Sequence, residues 1–524
     1  MKRALALLLL ALPAASQEPP SPSVLRPGLL AGYGGQDAPQ ATPESIVNGY
    51  FEAKWKDAKV KPGPSADPYA FYRRIALDLT GRLPDPDDVR RDARSKDRTK
   101  LIDETLASPA AAEFFADMWI QWLTGHEVGF QDQLRCEFEA LHDWLRSAWT
   151  TDMPYDQFVR TLLSDRGMPK ERPAVNYGLK HVVAGEPPVA LVTQTARLFL
   201  AKDIRCAQCH DHPFEKMSQE EFWGFAAFFR PIHRAQNGGL AEGDLVLEGK
   251  AREDLGEMFE KPAFFDGRKP EAGRRLGEQL ADFLLTTKDQ EHARAIVDRH
   301  WKHFFGRGFG KAHAPLHHAL VRDFMGNRQS VRRLVRGILM SKPYQLASEG
   351  KSDDRVAYAA GPLKYMNPVQ FFRAQERAFS LREHYWKLYE KARTDPQTAA
   401  VYRDPQNIWL AFYRWAKEMV FPKGRDPEEA IASGTVRLSL KFMNNRDLQI
   451  LIFAQFGIVR KIMKDKSSPE ARVEELFYTL VGRPPSKDEK SRVVDYVKGI
   501  SNPYHGMEDV FWMLVNSAEF IFIR

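Results

Sequence analysis

The sequence predicts a mainly α protein, with two helical domains and a short irregular or β insert between them. Three observations carry this reading. From Tyr69 onward apolar residues recur at helical spacing, in segments that open on capping residues and break at glycine or proline. No long alternating apolar/polar run is bounded by hairpin turns. Three cysteines in 524 residues cannot staple a scaffold, so stability must come from buried apolar surface. A hydrophobic content of 43%, with 33 Phe and 11 Trp, is enough to supply it.

The chain opens on "MKRALALLLLALPAASQ", with basic Lys2 and Arg3, an apolar run from Ala4 to Leu12, and small residues at Ala14 and Ser16. Residues 1–16 read as a signal peptide cleaved after Ser16. The apolar run falls well short of the roughly 20 residues that span a bilayer, and no later stretch reaches that length without charges. The expectation is a periplasmic or secreted protein with no transmembrane helix in the mature chain. Residues 17–43, rich in Pro, Gly, Ala, Ser and Gln, read as a flexible tether.

The first domain spans 44–232. It begins with the helical spacing of "PESIVNGYFEAKWKDA", which "KPGPSADP" interrupts. A second helix runs to Gly81, and Asp85 caps a third, with Pro86 in its first turn and Asp88 at its third position. Ser108-Pro109 opens another helix by the same device. The segment 189–205 is expected to be helical, with Leu191, Thr195, Leu198 and Phe199 buried. Ser218 and Glu221 form a capping box that starts "QEEFWGFAAFF". Cys136, in "QLRCEFEALHDWL", is expected to be a buried, unpaired thiol inside a helix.

Residues 233–270 are Gly- and charge-rich and read as an insert that could cover the cysteine loop, with "GDLVLEG" (243–249) as its likeliest strand. The second domain spans 271–524. Near its end "YTLVGRPPSKDEKSR" (478–492) echoes "LDLTGRLPDPDDVRR" (77–91), and "LVNSAEFIF" (514–522) echoes "LASPAAAEFF" (106–115). This points to a duplicated helical hairpin that pairs the two ends of the chain.

The chemistry concentrates in "CAQCHDHPFEKM", between the 189–205 helix and the helix that starts at Ser218. C-x-x-C-H is the attachment motif of a c-type haem: Cys206 and Cys209 add across two vinyl groups, and His210 is carried to the iron as axial ligand. Two other readings stand beside it. Cys206 and Cys209 could form a disulfide, or half of a zinc site completed by His210 or His212. His212 and Met217 are further candidate metal ligands; His233, His300 and His303 are further candidates for a sixth iron position. A haem in this loop could lie against Phe214, Phe222, Trp223 and Phe225, although aromatics at that spacing more often form core.

The net charge of +7 comes from interspersed Lys and Arg rather than a basic block, so nucleic-acid binding is not indicated. No nucleophile elbow, H-E-x-x-H or paired-carboxylate motif is present, and no catalytic residue is assigned. The residues therefore favour an extracytoplasmic haem c protein in electron transfer or redox sensing, with an unidentified redox or cell-surface protein as partner. The alternative is a secreted structural, surface-binding or polysaccharide-associated protein whose loop is a zinc or disulfide site.

In combination, "RRIALDLTGRLPDPDDVR", "MPYDQFV" (153–159) and the cysteine segment resemble the first domain of the planctomycete cytochrome-like secreted family. "ARAIVDRHWKHFFGRGFG" (293–310), "LVRGILMSKPYQLAS" (334–348) and the C-terminal "LFYTLVGRPPSKDE…FWMLVNSAEFIF" resemble its second domain. The resemblance covers roughly residues 44–232 and 270–524. It implies a large extracytoplasmic protein of paired domains with no established activity, and its cytochrome-like label rests mainly on Cys206, Cys209 and His210. The chain departs from the family pattern at "MWIQWLTGHEV", at Asp298 and His300, and in the histidine-rich "KAHAPLHHALVRDF", so no role of the usual acidic or amide residues transfers.

Overall fold

The computed structural model describes residues 41–524 except 96, 126–127, 184–185, 214–215, 244–258, 351–356, 380–388, 398, 400–403, 405, 408, 412, 415–443 and 445–456. The sequence elements assigned to residues 1–40, and most of 243–249, lie outside the described residues.

The described chain is mainly α, as expected. Helix α1 (Pro43–Asp57) is capped by Thr42, α2 (Pro68–Thr80) by Asp67 and α3 (Pro86–Asp92) by Asp85. Helix α4 (Arg98–Ala107) leads to α5 (Pro109–Thr124), where the Ser108 hydroxyl accepts from Ala111 N. Helices α6 (Phe130–Arg135), α7 (Phe138–Thr150), α8 (Tyr155–Ser164), α9 (Val175–His181), α10 (Val189–Leu200) and α11 (Gln219–Ala226) follow. Each cap satisfies amides that the first helical turn leaves without a partner.

Beyond a hairpin of β1 (Ile232–Arg234) and β2 (Leu240–Glu242) come α12 (Leu276–Leu285), α13 (Glu291–Phe305), α14 (Ala314–Gly326), α15 (Val331–Met340) and α16 (Lys342–Gln345). Strand β3 (Lys364–Tyr365) precedes α17 (Pro368–Ala378). The C-terminal part holds α18 (Ile458–Asp465), α19 (Pro469–Val481), α20 (Lys487–Gly499), α21 (Pro503–Val515), α22 (Ala518–Ile521) and β4 (Phe522–Ile523). Both sheets are antiparallel pairs: Ile232 opposes Glu242, and Lys364 opposes Ile523. The hairpin starts at Ile232, at the boundary of the expected insert, and ends ahead of the strand the sequence suggests. Among the described residues no helix is long and apolar enough to cross a membrane.

Helix α5 is the central element. It packs on α2, α4 and α7 and buries Trp119 completely. Helix α1 packs on α14 and α15, where Phe51 stacks on Trp301 of α13. Helix α8 packs on α12, and α10 on α13. One contiguous apolar core thus runs from Val47 to Ile523, and the two sequence segments share it. Each large apolar side chain so buried is worth roughly 1.5–3 kcal/mol.

The internal echo is structural. Helix α2 ends on Gly81 and α19 on Gly482, with φ of 66° and 71°, a left-handed conformation that glycine adopts without strain. The copies touch each other: Arg90 of α3 reaches Glu475 of α19 at 2.6 Å and lies over the Tyr478 ring.

Candidate functional site

Helix α10 buries Leu191, Thr195, Leu198 and Phe199, as its spacing predicts, but stops at Leu200 rather than continuing to 205. Ala201 takes the left-handed conformation (φ 54°) and turns the chain out of the helix. A single 3-10 turn, Arg205–Gln208, then carries the motif. Ile204 and Ala207 anchor it in the core, while Cys206, Cys209 and His210 are exposed.

Helix α11 fixes the turn from behind. Trp223 Nε1 and Gln219 Nε2 both donate to the Gln208 carbonyl, at 3.2 and 3.1 Å. Asp211 Oδ1 accepts from Gln219 N at 2.8 Å, and His212 N donates to the Met217 carbonyl at 2.8 Å, which closes the loop. Ser218 and Glu221 form the expected capping box. The loop is therefore a surface projection held by the start of α11.

The Asp211 carbonyl accepts from His210 Nδ1 at 2.7 Å. A carbonyl only accepts, so the ring proton sits on Nδ1 and the lone pair on Nε2, the tautomer a metal-binding imidazole needs. The residues present thus fit a haem at the level of two accessible thiols and one correctly protonated ring.

Several expectations change. Cys206 and Cys209 are both unpaired and exposed in this structure. Among the described residues no group of three or more His, Cys, Asp or Glu is arranged to hold a metal ion. Phe222, Trp223 and Phe225 are core residues with no face left for a cofactor, and Phe214 lies outside the described residues. The loop brings His212 near Met217 through its backbone bond; His212 is half-buried and Met217 packs on the core. His233 sits on β1 against the Pro231 carbonyl. His300 is buried edge-on to Trp122, and burial lowers its pKa to about 3. Cys136 is buried and free as expected, but it follows α6 as its C-cap instead of lying within a helix; burial raises its pKa to about 12.

Sequence patterns missed a second concentration of polar groups where α2, α5, α13 and the 344–373 stretch meet. Asp78 is fully buried and accepts from Tyr344 Oη (2.7 Å), Gln370 Nε2 (3.0 Å) and Lys364 Nζ (2.7 Å). Its backbone carbonyl accepts from His303 Nε2 at 3.0 Å. Burial lowers the pKa of Lys364, and Asp78 opposes that shift. Nearby, Asp117 bonds Arg373 Nε at 2.6 Å and His142 Nε2 at 3.1 Å. Burial pushes Asp117 up, but Arg373 and His142 outweigh it and its pKa is lowered. The only sequence signal was charged residues inside otherwise apolar helices. Beside this network lies a cleft of about 400 Å³, bounded by Trp122, Arg299, Lys302, Arg307 and Lys364.

No curated protein and no solved structure matches the chain significantly. Two families do. Residues 46–234 match PSCyt2, a protein of unknown function (DUF1549), and residues 274–371 match PSD1, a protein of unknown function (DUF1553). The second match ends at Phe371, so the C-terminal copy of the hairpin lies beyond both. The chain is thus similar to one family over its first segment and to another over its second, a pairing of two domains of unknown function.

Proposed function

We propose that this is an extracytoplasmic c-type haem protein, with Cys206 and Cys209 as attachment thiols and His210 as axial ligand, serving electron transfer or redox sensing. The observation that carries the reading is the His210–Asp211 hydrogen bond on a turn that exposes both thiols. It holds the imidazole in the tautomer that leaves Nε2 for iron. A bound haem would supply a one-electron iron couple. Attachment needs no oxidant: each thiol S–H adds across a vinyl C=C, forming one C–S bond and one C–H bond. The basic, apolar and small-residue pattern of 1–16 supports the compartment in which such attachment is completed.

An absorption spectrum of the protein made alongside a haem-maturation system tests the proposal. A Soret band that survives denaturation and acid extraction is expected, and it should vanish in Cys206→Ser/Cys209→Ser. A wild-type protein without that band overturns it.

A further inference from the structure

We propose that Lys364 is the amine of a covalent site for small carbonyl compounds. Its Nζ forms an imine with an aldehyde or ketone held in the adjoining cleft, and Asp78 moves the protons. This goes beyond the haem reading and is independent of it.

The cleft encloses about 400 Å³, within the range of small-molecule sites. Lys364 is part of its wall, together with Met118, Trp122, Phe305 and Tyr358. Both matched segments contribute, and such junctions are where ligand sites concentrate.

The lysine is held in one place. Strand β3 sets its backbone opposite Ile523. Its stem runs over Gly306, where a Cβ would lie 2.8 Å from Lys364 Cβ, so any larger residue there would displace it. Nζ donates to the His303 carbonyl and lies 2.7 Å from Asp78 Oδ1. The two side chains are 5% and 0% exposed. Asp78 is fixed in turn: Tyr344 Oη donates to Oδ2 at 2.7 Å and Gln370 Nε2 to Oδ1 at 3.0 Å.

Imine formation needs an amine that can give up its proton and an acid–base group in contact with it. Burial lowers the pKa of Lys364 against the pull of Asp78. A proton passed from Nζ to Asp78 turns the ion pair into two neutral groups, the form that a low-dielectric interior favours. A buried lysine with a specific charge partner, on the wall of a cleft, is the arrangement in which reactive amines are found.

The atoms balance without an oxidant or reductant. Neutral Nζ adds to the carbonyl carbon, forming a C–N bond while the π pair of C=O moves to oxygen. The proton that nitrogen releases ends on that oxygen, which gives a carbinolamine. Protonated Asp78 then gives its proton to the hydroxyl, which leaves as water as the nitrogen lone pair closes C=N. The product is a protonated imine beside the Asp78 carboxylate, with the charges of the starting pair.

Reductive trapping on the full chain tests this. Glyceraldehyde or pyruvate at about 1 mM is added with cyanoborohydride, which converts an imine to a stable secondary amine, and labelled lysines are located by peptide mass mapping. At least one of the two is expected to label Lys364 at least about tenfold faster than Lys302 on the same cleft. Asp78→Asn should slow that labelling about tenfold or more. If this variant does not fold, the wild-type chain in urea carries the comparison, because the preference for Lys364 depends on the folded site. No label on Lys364 from either compound, or a rate no faster than at Lys302, overturns the proposal. So does unchanged labelling in folded Asp78→Asn, or a preference that survives in urea.

Discussion

Arg483 holds Glu519 through two hydrogen bonds, Nε to Oε1 at 2.7 Å and Nη2 to Oε2 at 2.8 Å. Arg82 and Glu113 make the equivalent pair at 2.8 Å in the N-terminal copy of the hairpin. In each copy the arginine follows the left-handed glycine, and the glutamate lies on a helix capped by Ser108 or Ser517, Glu519 in its first turn and Glu113 just beyond it. The two ends of the chain therefore share a fold unit down to a specific ion pair.

That correspondence predicts an asymmetry in the glycine turns. A Cβ at Gly81 would lie 2.6 Å from the Phe114 ring and 2.9 Å from Arg373 Cδ, whereas at Gly482 the nearest atom is 3.3 Å away. Both alanine variants incur the left-handed strain. Gly81→Ala also overpacks the core and should be about 1–3 kcal/mol more destabilised than Gly482→Ala by urea unfolding.

Breaking the Asp117–Arg373 pair should cost more than losing any exposed ion pair. Asp117 and Arg373 side chains are 1% and 4% exposed, so Asp117→Ala strands a guanidinium in the core. The expected loss is about 3–5 kcal/mol, against under about 1 kcal/mol for Asp488→Ala, which removes the exposed partner of Arg492. Equal losses in denaturant unfolding would refute the distinction.

Local signals made the helices legible and distance hid the network. The caps read from sequence (Asp85, Ser108, Ser218) hold because a cap needs only its own first turn. The end of α10 was not legible: Ala201 carries no breaker signal, and its left-handed turn is set by its surroundings. Asp78 and Tyr344 are 266 residues apart, and Asp117 and Arg373 are 256 apart. No spacing rule reaches that far. The chemistry of Cys206, Cys209 and His210 was visible, but the burial of Phe225 depends on packing against Phe264 and Phe265.

Acid should destabilise the fold through its buried histidines. Burial lowers His181, His292 and His313 to about 4 and His300 to about 3, from an ordinary 6.5. In each case the unfolded chain takes up a proton that the folded chain refuses. Their contribution is neutral above pH 6.5 and turns against folding as pH falls from 6.5 toward 4. The total is of the order of several kcal/mol, so the thermal midpoint should drop steeply over that window. Glu489, lowered to about 2 chiefly by its hydrogen bond from Arg483, acts lower down. Its stabilisation is present above pH 4.5 and fades toward pH 2. A flat midpoint between pH 6.5 and 4 would contradict the neutral buried histidines.

Asp211 has two roles that mutation can separate. Its carboxylate accepts from Gln219 N at the start of α11, and its backbone carbonyl accepts from His210 Nδ1. Substitution removes only the first. Asp211→Ala should cost about 0.5–2 kcal/mol, the usual worth of a capping side chain, while the carbonyl still orients the ring. Under the haem proposal its spectrum stays close to wild type. His212→Ala should likewise keep the covalent haem, because the loop-closing bond to Met217 uses the His212 peptide N–H and not the ring. His210→Ala should differ from both, with haem still linked through Cys206 and Cys209 but a changed Soret position and ligand-binding behaviour. If Asp211→Ala or His212→Ala altered the spectrum as much as His210→Ala, the carbonyl would not be what orients the axial ring.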